Sequence, residues 1–167
     1  ANGNTISGMD AIAVTLVDGN NTFTVDQVNA IDANTTGIIT ATVTPTETAT
    51  ELATLTGTGH ALTIVVPTAT VTAAQLNTIN GATTLPVTAT AVTLINNSTV
   101  ADILTVHAAN TAGTITGLGN EAITPSTAVT VAQANSLNAL STGVVTATIS
   151  DGDMTTLAGL TDNLDSS

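Results

Sequence analysis

The sequence predicts a right-handed β/α solenoid: an α/β repeat of about six stacked parallel strands, with short helices on one sheet face and a Thr-rich exposed face. Three observations lead there. A helix-start motif recurs three times, the strand segments alternate Thr with small aliphatics, and each strand-to-strand step fits one strand plus one short helix.

The motif is Thr-x-x-Gln-x-Asn-x-aliphatic-Asx, at 24–32, 72–80 and 130–138. Thr-x-x-Gln is a capping box: the hydroxyl takes the amide three residues on, and the glutamine reaches back to the cap. Thr48 and Glu51 repeat the device. Val28 and Ile31, Leu76 and Ile79, and Leu52 and Leu55 each fall three apart, the spacing of one helix face. Helices of two or three turns do not persist alone in water, so they must pack on something.

The strands supply that surface. Residues 39–44 put Thr on one face and Ile, Ala and Val on the other, and 87–90 and 145–149 follow suit. A second strand type runs at 11–17, 61–66 and 122–126. Starts near 11, 38, 61, 87, 122 and 144 lie 27, 23, 26, 35 and 22 residues apart. Strands joined through helices should be parallel. In the longest step, 114–118 offers a further strand. A doubly wound fold needs strands apolar on both faces, and the Thr alternation argues against it. The whole chain, 1–167, reads as one domain with repeat units near 11–60, 61–121 and 122–167. A longer echo overlies them: Thr5-Ile-Ser-Gly-Met matches Thr114-Ile-Thr-Gly-Leu, and Gly37 matches Gly143.

Composition narrows the function. The 167 residues include 39 threonines, no Lys or Arg, twelve acids, no Cys and one aromatic, Phe23, for a net charge of -12. Nucleic acid would be repelled, and an anionic membrane surface is disfavoured. No apolar run approaches 18 residues, so direct membrane insertion is not expected. Without Cys there are no disulfides, thiolate nucleophiles or thiolate metal sites. A chain with no Lys or Arg gives trypsin-like proteases nothing to cut, which suits an extracellular life. No signal-peptide pattern precedes the repeats, and a start at Ala1 reads as a processed form or an excised fragment.

The run Thr-Val-Ala-Gln-Ala-Asn-Ser-Leu-Asn-Ala-Leu-Ser-Thr-Gly-Val-Val-Thr-Ala-Thr-Ile-Ser-Asp-Gly-Asp-Met (130–154) resembles Thr/Ala/Asp-rich tandem repeats of giant cell-surface proteins of marine picocyanobacteria. Ile115-Thr-Gly-Leu-Gly-Asn-Glu-Ala-Ile123 is similar to the same arrays, and the likeness covers most of the chain in permuted order. It implies a secreted or surface location and a spacer, motility-associated or adhesive role. It brings no catalytic residues.

Catalytic chemistry is sparse. His60, in the Gly57-Thr-Gly-His turn, reads as an exposed loop residue. His107, near a helix end, reads as a complement to the negative end of its helix dipole. There is no nucleophile elbow or phosphate loop, so a non-enzymatic protein is expected. No cofactor is required; calcium would suit Asp151 and Asp153, with Asp18 behind them. The competing reading makes Asp151 the N-cap of a helix through Leu157 and Leu160. The pairs Thr40/Thr42, Thr88/Thr90 and Thr146/Thr148 form exposed rows that could order water as an ice-binding face, or serve as β-branched filler on a solvated sheet. Ala11, Ala13 and Thr15 at one end, and Leu160 and Leu164 at the other, read as unblunted stacking edges. The expected function is an extracellular structural protein, a spacer or fibre-forming subunit whose partners are further copies or neighbouring repeats of the same chain. The alternative is a binding module, a calcium-dependent adhesin or an ice binder.

Overall fold

All three Thr-x-x-Gln boxes open helices. A computed structural model describes residues 11–17, 19 and 21–161. In chain order the elements are β1 (Val14–Thr15), α1 (Val25–Asp32), β2 (Ile39–Thr42), α2 (Ala49–Leu52), β3 (Ala61–Thr63), β4 (Thr70–Val71), α3 (Ala73–Ala82), β5 (Val87–Thr88), β6 (Leu94–Ser98), α4 (Val100–Ala112), β7 (Ile115–Thr116), β8 (Ala122–Pro125), α5 (Val131–Asn138) and α6 (Met154–Leu157). Thr24, Thr72 and Thr130 each accept the amide of their Gln and donate their own amide to its side chain. Thr48 and Glu51 close the same box on α2. Gly113 ends α4 in the left-handed region (φ 79°), where a side chain would be strained.

The strands do not form one stack of six. Among the described residues they make three small sheets, ordered β1-β2-β3, β4-β6-β8 and β5-β7, every pairing parallel. The solenoid expectation is overturned: the described chain is a small α/β fold with separate parallel sheets, and proline supplies part of the reason. Isolated bridges His60↔Thr83 and Val65↔Thr88 continue the line beyond β3. In that register Thr63 faces Pro86, which has no N–H to donate to a ladder. The Leu62 carbonyl, left without that donor, accepts instead from the Thr83 hydroxyl at 2.8 Å. The segment 145–149 likewise forms no named strand among the described residues and pairs through the isolated bridges Ile123↔Val145 and Val129↔Ile149. In the sheet of β4, β6 and β8, only β8 matches an expected strand, at 122–126; β4 and β6 were not expected. The long step before residue 122 holds α4, the longest helix at 13 residues, followed by β7.

Paired segments lie one layer apart, as in Val14↔Ile39, Thr40↔Ala61, Thr70↔Leu94 and Leu94↔Ala122. Helices α2, α3, α4 and α5 pack against one another in chain order. One continuous aliphatic core runs from Val25 to Leu137, with Ile39, Leu52, Leu62, Leu76, Ile95 and Ile123 fully buried. No helix among the described residues is long and apolar enough to cross a membrane.

Candidate functional site

The asparagine of the repeated motif faces the next layer. Asn29 donates Nδ2–H to the Thr54 carbonyl and accepts the Thr56 amide on Oδ1, both at 2.9 Å. Asn135 does the same with the Gly159 carbonyl (2.8 Å) and the Thr161 amide (2.9 Å). Asn77 donates to the Asp102 carbonyl at 3.2 Å. An amide side chain presents a donor and an acceptor side by side, so it can bracket a peptide as a neighbouring strand would.

A second device lies just before each Thr-rich segment. The buried Thr35, Thr83 and Ser141 hydroxyls donate back to the carbonyls of Ile12 (2.9 Å), Leu62 (2.8 Å) and Glu121 (2.6 Å). Each also accepts the amide two residues on, from Gly37, Leu85 and Gly143. Gly37 and Gly143 press so close to Ile12 and Glu121 that a Cβ would strike the backbone carbonyl. The Thr-Gly pairs were visible in the sequence, but the buried hydroxyl one residue earlier is what ties the layers.

Helix starts provide a third tie. The first helical amide lies outside the reach of its own capping box, and a side chain from the next layer accepts it. Val25 donates to Glu47 (3.3 Å), Ala49 to Thr68 (3.1 Å), Ala73 to Ser98 (2.8 Å) and Val131 to Asp151 (2.7 Å).

These bonds relocate the calcium candidates. Asp151 caps α5 of the preceding layer, and Asp153, not Asp151, is the N-cap of α6. Leu160 lies beyond that helix, which ends at Leu157. Hydrogen bonds from the Thr156 side chain and amide hold the Asp153 carboxyl below its usual value. Asp18 lies outside the described residues. Among the described residues, no three His, Cys, Asp or Glu side chains cluster as a metal site.

Both histidines depart from expectation. His60 is buried, not an exposed loop residue: Nδ1 accepts the Ile39 amide (3.2 Å) and Nε2 meets Asp32 Oδ1 at 2.9 Å. Since Nδ1 is an acceptor, the ring proton sits on Nε2 and points at the carboxylate. The Thr56 hydroxyl donates to the other Asp32 oxygen at 2.7 Å. His107 lies inside α4 and is also buried, with Nε2 3.0 Å from Oε1 of the fully buried Glu121. Burial pushes the Glu121 carboxyl up. The His107 ring and the Gly119 and Glu121 amides outweigh that and hold it below the ordinary value. An orienting carboxylate therefore accompanies each histidine, but each pair is enclosed. In sequence His60 is 28 residues from Asp32, so no local signal joins them.

The threonine rows are short. Thr15 lies beside Thr40, and Thr42 beside Thr63, but the first rank runs into Ala61. Thr88 pairs with Thr116, whereas Thr90 has left the strand for a turn. Thr146 and Thr148 are exposed but outside any named strand.

Comparison with protein-family models, curated proteins and solved structures finds no match.

The stacking edges are exposed where they are described. Ala11, Ala13 and Thr15 face solvent at one end and Leu160 at the other; Leu164 lies outside the described residues. An apolar groove of about 290 Å³, lined by Leu16, Phe23 and Ile31, opens at the first end. A second, of about 270 Å³, opens at the last, lined by Val144, Ala147, Ile149 and Leu160.

Proposed function

We propose that the chain is a non-enzymatic structural protein of the cell exterior, whose layers set a fixed length between whatever lies at its two ends. One observation carries the reading: the repeated polar side chains serve the neighbouring layer. Asn29 and Asn135 bracket its backbone, Thr35, Thr83 and Ser141 bond its carbonyls, and Glu47 and Asp151 accept its helix amides. Even the histidine–carboxylate pairs, the groups best suited to proton transfer, are enclosed between layers. The absence of Lys, Arg and Cys supports the exterior setting.

The calcium-adhesin and ice-binding alternatives have less support. Asp151 and Asp153 are each engaged by a separate helix start, and the Thr ranks are too short for an extended regular array.

Immunogold labelling of intact cells that make the protein tests the reading. Gold on the outer surface, lost after brief treatment with a protease that does not need Lys or Arg, is expected. Label confined to the cell interior would overturn it.

A further inference from the structure

The first and last described layers are copies of the two sides of one internal junction. Residues 13–34 align without a gap on 61–82, with Ala13 on Ala61, Thr15 on Thr63, Gln27 on Gln75 and Asn29 on Asn77. Residues 139–150 align likewise on 33–44, and after a gap of one residue α6 with its cap falls on α2 with its own. The first described layer is therefore a copy of the third, and the last is a copy of the second. Inside the chain, the third packs on the second.

That internal junction is well covered. β2 pairs with β3 through Thr40↔Ala61, Ala41↔Leu62 and Thr42↔Thr63. Helix α3 packs on α2, where Gln75 donates Nε2–H to the Thr50 hydroxyl at 3.0 Å. Under that cover Ile39, Ala41, Val43, Ala49 and Leu52 are buried, and Leu55 is only 7% exposed. In the last layer the equivalent positions are open. Val145, Ala147 and Ile149 are partly exposed, Leu160 is 45% exposed and Met154 80%.

We infer that the face formed by 144–149 and α6 receives the first layer of a second copy of this chain, head to tail. This rests on the structural role proposed above and names its partner. Transferring the internal register sets Thr146 against Ala13, Ala147 against Val14 and Thr148 against Thr15. It lays the second copy's α1 over α6, with its Gln27 at Thr155 as Gln75 lies at Thr50. The Leu16–Phe23–Ile31 groove then closes on the Val144–Leu160 groove. Such a contact is heterologous, so it propagates rather than stopping at a dimer. Copies that each carry a charge of -12 repel at long range, so salt should promote the contact.

Cysteine pairs test the register, because the chain has no cysteine of its own. Thr15→Cys and Thr148→Cys are made as separate exposed variants, mixed and mildly oxidised. Neighbouring strands lie about 4.8 Å apart, within disulfide range. A mixed disulfide at least tenfold more abundant than with Thr50→Cys in place of Thr148→Cys is expected. Sedimentation should show wild-type chain assembling as ionic strength rises from about 0.01 M to 0.5 M. Leu160→Glu, at an exposed site, should weaken assembly at least tenfold while keeping the wild-type circular dichroism and melting midpoint. Equal disulfide yields from both pairs, or monomers at every salt and up to millimolar protein, would overturn the junction. Neither result bears on surface labelling, so the structural role stands or falls separately.

Discussion

His60 joins two layers through a single ring, accepting the Ile39 amide on Nδ1 and meeting Asp32 through Nε2. His60→Ala leaves the Ile39 N–H without an acceptor and the Asp32 carboxylate without its partner. A loss of about 2–4 kcal/mol in urea unfolding is expected. Asp32→Asn keeps an oxygen for Nε2–H and should cost only about 1 kcal/mol. A His60→Ala chain as stable as wild type would show that the ring is incidental.

Glu121 makes the fold sensitive to acid. Its folded carboxyl lies below the ordinary value of 4.5, so the unfolded chain binds its proton at higher pH than the folded one does. The stabilisation is complete above about 4.5 and disappears as pH falls through the folded value. Glu121→Gln cannot titrate there. Urea midpoints measured from neutral pH down to about pH 3 should converge for the two proteins, the wild type falling more steeply. Parallel curves would mean that Glu121 contributes nothing to acid unfolding.

Asn29 brackets a peptide, so its loss should be felt in the partner layer. Asn29→Ala should cost about 1–2 kcal/mol. Hydrogen exchange at the Thr56 amide should accelerate well before exchange in α1. Asn29→Asp keeps the acceptor for Thr56 and should protect that amide while losing the bond to the Thr54 carbonyl.

Two glycine substitutions should move stability in opposite directions. Gly143→Ala drives a methyl into the Glu121 carbonyl and should cost about 3 kcal/mol. Gly81→Ala, within α3 and with open space where the methyl would go, should stabilise by about 0.5–1 kcal/mol. Thermal melts of the two variants beside wild type decide both.

Local devices were legible in the sequence and distant ones were not. The four capping boxes close within three residues, so Thr24, Thr48, Thr72 and Thr130 announce their helices. Parallel pairing also followed from strands joined through helices. The division into three sheets was hidden because Thr70–Val71 is too short to alternate and Leu94–Ser98 carries two adjacent asparagines that break any alternation of Thr with aliphatics. Pro86 was visible, but only the register reveals that it faces Thr63. The candidate site was less legible still. The Asn29, Thr35 and Asp151 side chains bond to groups 20–27 residues away, and nothing local marks those partners.

The borrowed helix caps bear on how the chain is made. Val25, Ala49, Ala73 and Val131 find their acceptors 22, 19, 25 and 20 residues downstream. A nascent chain leaving the ribosome therefore holds the first amide of each of these helices without its acceptor until about one further layer has emerged. Completion of each cap then trails synthesis of its helix by 19–25 residues, and each completed cap reports that the segment after it has arrived.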